Sequence, residues 1–561
     1  MGNFRALLLA SCAGVQAVAA APVAFAADAA TPPPAASDPA ASAQAAPDSF
    51  FIQAFDVAGV TRLTQSEVER TVYPFAGPGR TKDDVEAARK ALQDLYAAKG
   101  LEAVIVDVPV QDHDTFAQGV VQIAVAEAPT GLVRVTGMKY HSLWVARQQV
   151  PSLQQGQPID FKALQADLTL ANRFPDRTIN PEFKPGRVPG TVDVDLHVTD
   201  ERPLHAGLEF NNDASPSTTP LRASASVRYT NLWQAGHTLA LTYIVAPAHR
   251  SQTEVISASY TLPLFASPWS FSVSGYHSNS NVASAGGSAV LGKGYQVGLR
   301  AIWQLPAKKT LQTISFGPDF KNFQQKISVG SALASSAPVR YVPLEVGYNL
   351  AGAGEHASYS AGLVVTAGLR TIKGTVCVEV AGVCTVYDGF QNREQFSYEN
   401  FVHANLNLDY TRNLPGEVEA EFRLAAQLAD SHLITNEQFA AGGLHSVRGY
   451  YSAEAVGDDG AAPSLELRAP SLANWLSDRG KWLRWFDDAR FFAFADAAFL
   501  HVRNASSGQT ADFRLVGVGA GLRWRIFNMI SGEVVGAVPL TRGAVTRRGD
   551  PRVSFQVRGD F

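Results

Sequence analysis

The chain has 561 residues, of which 46% are hydrophobic and 17% charged, with a net charge of −4. That length exceeds one ordinary compact domain and suits a large barrel with one or two small modules. No run of about 18 apolar residues follows the N-terminus, so helical membrane spans are not expected, and the scattered Lys and Arg give no basic field for nucleic acid.

Residues 1–26 read as an export signal. Arg5 lies in a short basic region, Ala6 to Ala20 is apolar, and Ala24-Phe25-Ala26 is a small-x-small cleavage site before Ala27. Leu9-Ala10-Ser11-Cys12 also has the shape of a lipoprotein signal, although the apolar stretch before Cys12 is very short. Residues 27–49 are mostly Ala, Pro and Ser, which bury little apolar surface, and predict a tether without a helical stripe.

Residues 50–127 predict strand, helix, helix, strand, strand. In the second helix Thr81 is the cap, Asp83 and Asp84 sit in the first turn, and Val85, Ala88, Leu92, Leu95 and Tyr96 form one apolar stripe that ends at Lys99-Gly100. Val104, Val106 and Val108, then Val121, Ile123 and Val125, repeat with a period of two. Residues 128–202 repeat the plan: a strand at Val133 and Val135, a helix capped by Asp160 with Phe161, Leu164, Leu168 and Ala171 on one side, and a strand through Val192, Val194, Leu196 and Val198.

From 203 to 561 the period of two takes over. Leu204, Ala206, Leu208 and Phe210 alternate with His205, Gly207, Glu209 and Asn211, and Leu221 to Thr230 continue in the same way. Tyr295, Val297, Leu299 and Trp303 oppose Gln296, Gly298, Arg300 and Gln304, with Ile302 as an exception, and Ala404 to Tyr410 alternate with Asn and Asp. The polar faces are too strong for a packed sandwich core, and the segments between turns give about sixteen strands, an even number within the range of outer-membrane barrels. The last strand alternates through Val553, Phe555, Val557 and Gly559 to Phe561, the final residue given. In hydrocarbon an unpaired strand edge is costly, so this strand is expected to pair with the first one.

Signatures of enzymes are missing: there is no Walker phosphate loop, HExxH or Gly-x-Ser-x-Gly elbow, and neither cofactor nor metal is expected. Gly517-Val518-Gly519-Ala520-Gly521 looks like part of a dinucleotide fingerprint, but it lies within an alternating strand, where close backbone packing explains it better. Cys377 and Cys384 lie close together among Gly and Val, and a disulfide pinning an exposed loop is the expectation, with metal ligation the alternative. The segment 437–456 stands out. It begins Glu437-Gln438-Phe439 and runs through Gly442 and Gly443 to Val447-Arg448-Gly449-Tyr450. An Arg among Val, Gly and Tyr suits a loop folded into the lumen, where a buried guanidinium needs a carboxylate. Asp496 is the first candidate, facing inward together with Phe494 and Ala498, and Glu466 is the second.

In three stretches the chain resembles the outer-membrane two-partner secretion transporters of the haemolysin-activator and filamentous-haemagglutinin-transporter type, within the BamA-like superfamily. These are Asn172 to Arg202, Tyr229 to Leu241, and Glu437 to Tyr450. The resemblance implies two periplasmic polypeptide-transport-associated (POTRA) domains, at 50–127 and 128–202, ahead of a sixteen-stranded transmembrane β-barrel at 203–561. It also implies that Val447 to Tyr450 form the tip of an inward loop in contact with Asp496. That family's strand pattern is Phe-x-Asp-x-Gly, and here Ala498 replaces the final Gly. The implied partners are a secreted exoprotein with an N-terminal secretion domain, the periplasmic chaperones and barrel-assembly machinery, and the lipid bilayer. Two competing functions are an assembly factor for other barrels and a passive porin. The first has about five such modules by resemblance, against room for two here; the second has no use for the modules or the loop.

Overall fold

A computed structural model of the protein describes residues 49–561 apart from 102–103, 112–115, 217, 266, 281, 286–287, 307–309, 325–337, 370–374, 381–382, 474–484 and 507. The expected signal at 1–26, Cys12 and all of the tether but Ser49 lie outside the described residues. No described helix is long and apolar enough to cross a membrane.

In the first module, strand Val120–Ala126 runs between the parallel strand Ala54–Ala58 and the antiparallel strand Ile105–Asp107. Helix Lys82–Ala98 starts in a capping box, Thr81 with Asp84, and buries Val85, Ala88, Leu92 and Tyr96. An additional short strand, Gly77–Arg80, pairs with Phe50–Ile52. Its composition, Gly-Pro-Gly-Arg, carries no strand signal, and the pairing holds it extended. The second module repeats the three-stranded plan, with Val192–Asp200 between Thr130–Thr136 and Arg177–Pro185. Asp160 accepts from the Ala163 amide at 2.9 Å and starts helix Phe161–Ala171. Helix Leu143–Gln148 was not expected, because its 6 residues are too few to show a helical period.

Sixteen strands of described residues close into one barrel. They are β1 (Leu204–Asn211), β2 (Arg222–Leu232), β3 (His237–Val245), β4 (Glu254–Pro263), β5 (Trp269–Ser278), β6 (Lys293–Leu305), β7 (Thr310–Gln324) and β8 (Val339–Ala353). The second half is β9 (Ala357–Leu369), β10 (Phe401–Leu414), β11 (Val418–Ala429), β12 (Asp459–Arg468), β13 (Phe486–His501), β14 (Asp512–Ile526), β15 (Ile530–Pro539) and β16 (Arg552–Asp560). The expected outward residues are exposed: Leu204, Leu208 and Phe210 on β1, Val227 on β2, and Tyr295, Val297, Leu299 and Trp303 on β6. Their polar neighbours line a water-accessible interior, of which one cavity of about 840 Å³ is bordered by Asp213, Asn405, Asp409 and Arg423.

Closure falls on the two ends of the barrel sequence. β16 pairs with β1 from Gln556↔Asn211 to Asp560↔Gly207. Phe561 extends that ladder, donating its amide to the Ala206 carbonyl at 2.8 Å and accepting from the Ala206 amide at 2.9 Å. At the other end of the seam the Asn212 side chain takes over, accepting from the Phe555 amide at 2.9 Å and donating to the Val553 carbonyl at 3.0 Å.

The second module is fastened to the barrel rim. Arg173 donates to the carbonyls of Ser267 (2.7 Å) and Leu264 (2.5 Å) beyond β4. The Phe174 ring lies where a side chain on Gly236 would sit, since a Cβ there would be 2.2 Å from it. Asp176, held at φ 64°, accepts from the Thr230 hydroxyl at 2.5 Å and bonds His205 at 2.9 Å. Asp176→Ala deletes both bonds. A net hydrogen bond contributes about 1 kcal/mol, so limited proteolysis between module and barrel is expected to run about fivefold faster or more in this variant, with heat-modifiable migration of the barrel unchanged. An unaltered cleavage rate would remove Asp176 from the joint.

Candidate functional site: the loop inside the barrel

The segment between β11 and β12 turns back into the lumen. Its two arms form a short ladder, Phe439–Ala441 with Ala455–Gly457, and Gly442 and Gly443 beyond it take φ of 112° and 98°. Both values belong to the left-handed side that glycine alone adopts without strain. The tip, Val447-Arg448-Gly449-Tyr450, is buried throughout.

Arg448 is only 3% exposed and every nitrogen of its side chain has a partner. Nε donates to Asp496 Oδ2 at 2.7 Å, Nη2 to Asp496 Oδ1 at 2.9 Å, and Nη1 to Glu466 Oε2 at 2.6 Å. The Arg448 backbone amide also donates to Asp496 Oδ2, at 3.0 Å. Ser464 donates to Asp496 Oδ1 at 2.7 Å. The guanidinium carbon stands 3.5 Å from the centroid of the Phe494 ring, a cation–π contact. Both carboxylate candidates, Asp496 and Glu466, therefore meet Arg448. They come from adjacent strands, since β12 and β13 pair Ser464 with Asp496 and Glu466 with Phe494.

Around this charge the tip packs apolar. Val447, Tyr450, Ala498, Leu500 and Leu515 share one buried cluster. Ala498, where the family pattern has Gly, is fully buried there, and its methyl group is accommodated. The Tyr450 hydroxyl donates to the Thr541 carbonyl at 2.9 Å and accepts from the Val516 amide at 3.2 Å. The glycine run on β14 now has a specific use: a Cβ on Gly517 would lie 2.1 Å from the Arg448 carbonyl, and one on Gly521 would lie 2.5 Å from the Phe492 ring. Close backbone approach, expected from the sequence, is approach to the loop tip and to the aromatic floor beneath it.

A second anchor holds the stem, and nothing in the sequence marked its partners. Glu437 is buried among residues of three strands: Lys321 of β7 donates to it at 2.8 Å, Tyr341 of β8 donates its hydroxyl, and His403 Nε2 of β10 lies 3.2 Å away. Above it Phe323, Val339, Phe390, Phe401, Leu433 and Ile434 form an apolar cluster. His432, beyond the end of β11, bonds Asp458 at 2.8 Å and pairs with Glu394 at 3.6 Å, and these carboxylates push its pKa up to about 9, so it is charged at neutral pH. The returning arm is tied down by Glu454, which accepts from the amides of Val545 and Thr546 at 2.8 and 2.7 Å.

Cys377 and Cys384 lie on a two-stranded hairpin, Thr375–Val380 with Val383–Asp388. Its backbone register places Cys377 opposite Val386 and Cys384 opposite Glu379. Among the described residues no group of His, Cys, Asp and Glu has the makings of a metal site.

Gly517→Ala is the most selective disturbance of this arrangement, because it adds a methyl group against the Arg448 carbonyl and alters no charge. It is expected to displace the tip and raise ion conductance in planar bilayers, while the barrel keeps its heat-modifiable migration. Conductance equal to that of the unaltered protein would show that the tip does not need this approach.

The family model for haemolysin secretion/activation proteins ShlB/FhaC/HecB matches residues 190–524, and the model for the ShlB-type POTRA domain matches residues 50–128. The outer membrane transporter CdiB of Escherichia coli is 24% identical over 169 residues, which are 30% of this chain and 28% of that protein. Among solved structures, CdiB from Escherichia coli superposes with a TM-score of 0.66 at 19% identity, covering 93% of each chain. CdiB from Acinetobacter baumannii gives 0.61 at 14% identity, covering 92% of this chain and 90% of that one. BamA from Haemophilus ducreyi lacking POTRA domains 1–3 gives 0.50 at 14% identity, covering 91% and 100%. At these identities the solved structures bear on the fold alone.

Proposed function

The chain belongs to the haemolysin secretion/activation (ShlB/FhaC/HecB) family of outer-membrane transporters, and on that premise we propose that it recognises an unfolded exoprotein through its periplasmic POTRA domains and passes it through the barrel. The partner is a secreted protein carrying an N-terminal secretion domain. Periplasmic chaperones keep that protein unfolded, and the barrel-assembly machinery inserts the transporter itself. The observation that carries this reading is the buried Arg448–Asp496–Glu466 lock at the tip of a loop that occupies a water-lined barrel. A passive porin has no need of such a lock.

Recognition by strand addition suits an unfolded chain, because main-chain hydrogen bonds supply affinity with little demand on side chains. The three-stranded sheets end at Ile105–Asp107 in the first module and at Arg177–Pro185 in the second. Pro181 and Pro185 remove donors from the second edge, and on the first an added strand must displace the Arg89 and Gln93 side chains from the Val106 carbonyl and amide. No nucleotide-binding signature is present in the sequence, and folding of the cargo outside the cell supplies the direction of travel.

Deletion of residues 50–127 is expected to abolish secretion of the cognate exoprotein while the barrel still inserts; undiminished secretion would remove the recognition role. Opening a buried ion pair by deleting one partner costs about 3–5 kcal/mol, much of it the charge left behind. Arg448→Ala and Asp496→Ala are therefore each expected to impair secretion strongly, and the double variant to be no worse than either. Additive losses, measured as exoprotein released per cell, would mean that the two residues act separately.

A further inference from the structure

The loop tip is a ligand of the barrel wall. Ser464 and Glu466 face Asp496 and Phe494 directly across the β12–β13 ladder, so four of the groups around the Arg448 guanidinium are positioned by strand register alone. Their geometry is that of a guanidinium receptor. Asp496 takes two nitrogens through its two oxygens (2.7 and 2.9 Å), Glu466 takes the third (2.6 Å), and the Phe494 ring covers the face at 3.5 Å. An ammonium ion has neither the planar fork nor the flat face to use all of these groups together.

What remains when the tip moves aside is decided by the second partners of each carboxylate. Glu466 keeps two cations, because its Oε1 accepts from Arg468 at 2.8 Å and from Arg523 at 3.1 Å. Asp496 keeps the Ser464 hydroxyl and, among the described residues, no cation. Among the described residues Arg423 reaches Ser464, at 3.4 Å. Departure of the loop thus exposes one uncompensated carboxylate, beside an aromatic face, on the wall of the opened path.

We propose that the cradle formed by Asp496, Glu466, Ser464 and Phe494 is a guanidinium-binding site in its own right, and that in the open barrel it takes an arginine side chain of the polypeptide passing through. This assignment rests on the transport reading above. An exchange of one arginine for another lowers the cost of breaking the lock, since Asp496 is unpaired only briefly, and it makes the open state dependent on occupancy of the pore. Without a passing chain, Arg448 is the arginine at hand and the loop returns.

The test uses the full mature chain with Arg448→Ala in planar bilayers, with methylguanidinium or methylammonium added at matched ionic strength. Methylguanidinium is expected to reduce the current at a concentration at least about tenfold below that of methylammonium. The unaltered protein, whose own arginine fills the cradle, should not respond, and adding Asp496→Asn to the variant should abolish the block. Equal sensitivity to the two cations, or a block that survives Asp496→Asn, overturns the site. Should Arg448→Ala carry no current, melting of the barrel in detergent gives the same ranking, with the midpoint raised by methylguanidinium alone. For the passing chain, an unstructured Gly/Ser peptide with spaced arginines should block Arg448→Ala for longer dwell times than its lysine counterpart, and equal dwell times overturn that assignment. None of these measurements needs an exoprotein. Guanidinium-selective block combined with undiminished exoprotein secretion by cells lacking this protein would therefore leave the site standing and remove the transport reading.

Discussion

Hydrocarbon offers no partner for a peptide N–H or C=O, and each group left open there costs several kcal/mol. Every strand of the C-terminal part must therefore be paired on both sides, and the last one can be paired only by the first. The seam is completed to its final atoms: Phe561 exchanges both of its backbone bonds with Ala206, and where β1 runs out the Asn212 side chain substitutes for backbone. Once the cylinder is closed, the period of two assigns each residue to lipid or lumen, and the polar half of the sequence becomes a wet interior. A lumen of this size conducts unless something stands in it, which gives the inward loop its place in the architecture.

The two anchors of that loop are built differently. The stem is gripped by residues from β7, β8 and β10 under an apolar cluster, so releasing Glu437 means exposing aromatic and aliphatic surface as well as parting Lys321 from its carboxylate. At the tip the charge interactions are exchangeable: Glu466 already serves Arg468 and Arg523 besides Arg448. Gly442 and Gly443, between the two anchors, have the left-handed backbone that a pivot can use. The construction favours a tip that swings from a fixed stem over a loop that leaves the barrel as a whole.

Legibility in the sequence followed the range of the interactions. Strand alternation is a local signal, so the outward set on β1 and β6 and the inward triplet Phe494, Asp496 and Ala498 could be read directly. The capped helix Lys82–Ala98 was equally plain, because cap, first-turn acids and stripe are all short-range. Arg448 announced itself by being charged among Val, Gly and Tyr, and a carboxylate partner followed from the cost of burying it. The stem anchor was illegible for the opposite reason. Glu437 meets Lys321 and Tyr341 across separations of 116 and 96 residues, and each of these is an unremarkable member of its own strand pattern. Gly517 was recognisable as a close approach, but the Arg448 carbonyl as the approaching group appears only with the loop in place.

The stretches Asn172 to Arg202 and Tyr229 to Leu241, read separately in the sequence, meet in space. Phe174 fills the gap over Gly236, and Asp176 bridges to Thr230, so the second module is fixed to the turn between β2 and β3 and, through Arg173, to the turn after β4. The loop tip, in contrast, is held by β12 to β15 on the other side of the β16–β1 seam. On the proposed function, a chain captured by the modules would be delivered to a rim belonging to the early strands, while the tip of the loop it meets is bonded to the late ones, with Leu444 and Ser452 beside the tip bonded to Asp213 and Ala214 beyond β1. In that reading the joint at the early strands fixes where the chain enters, and the charge lock at the late ones decides when the path is open. In that reading neither device needs the barrel wall to part, because the loop lies within the lumen.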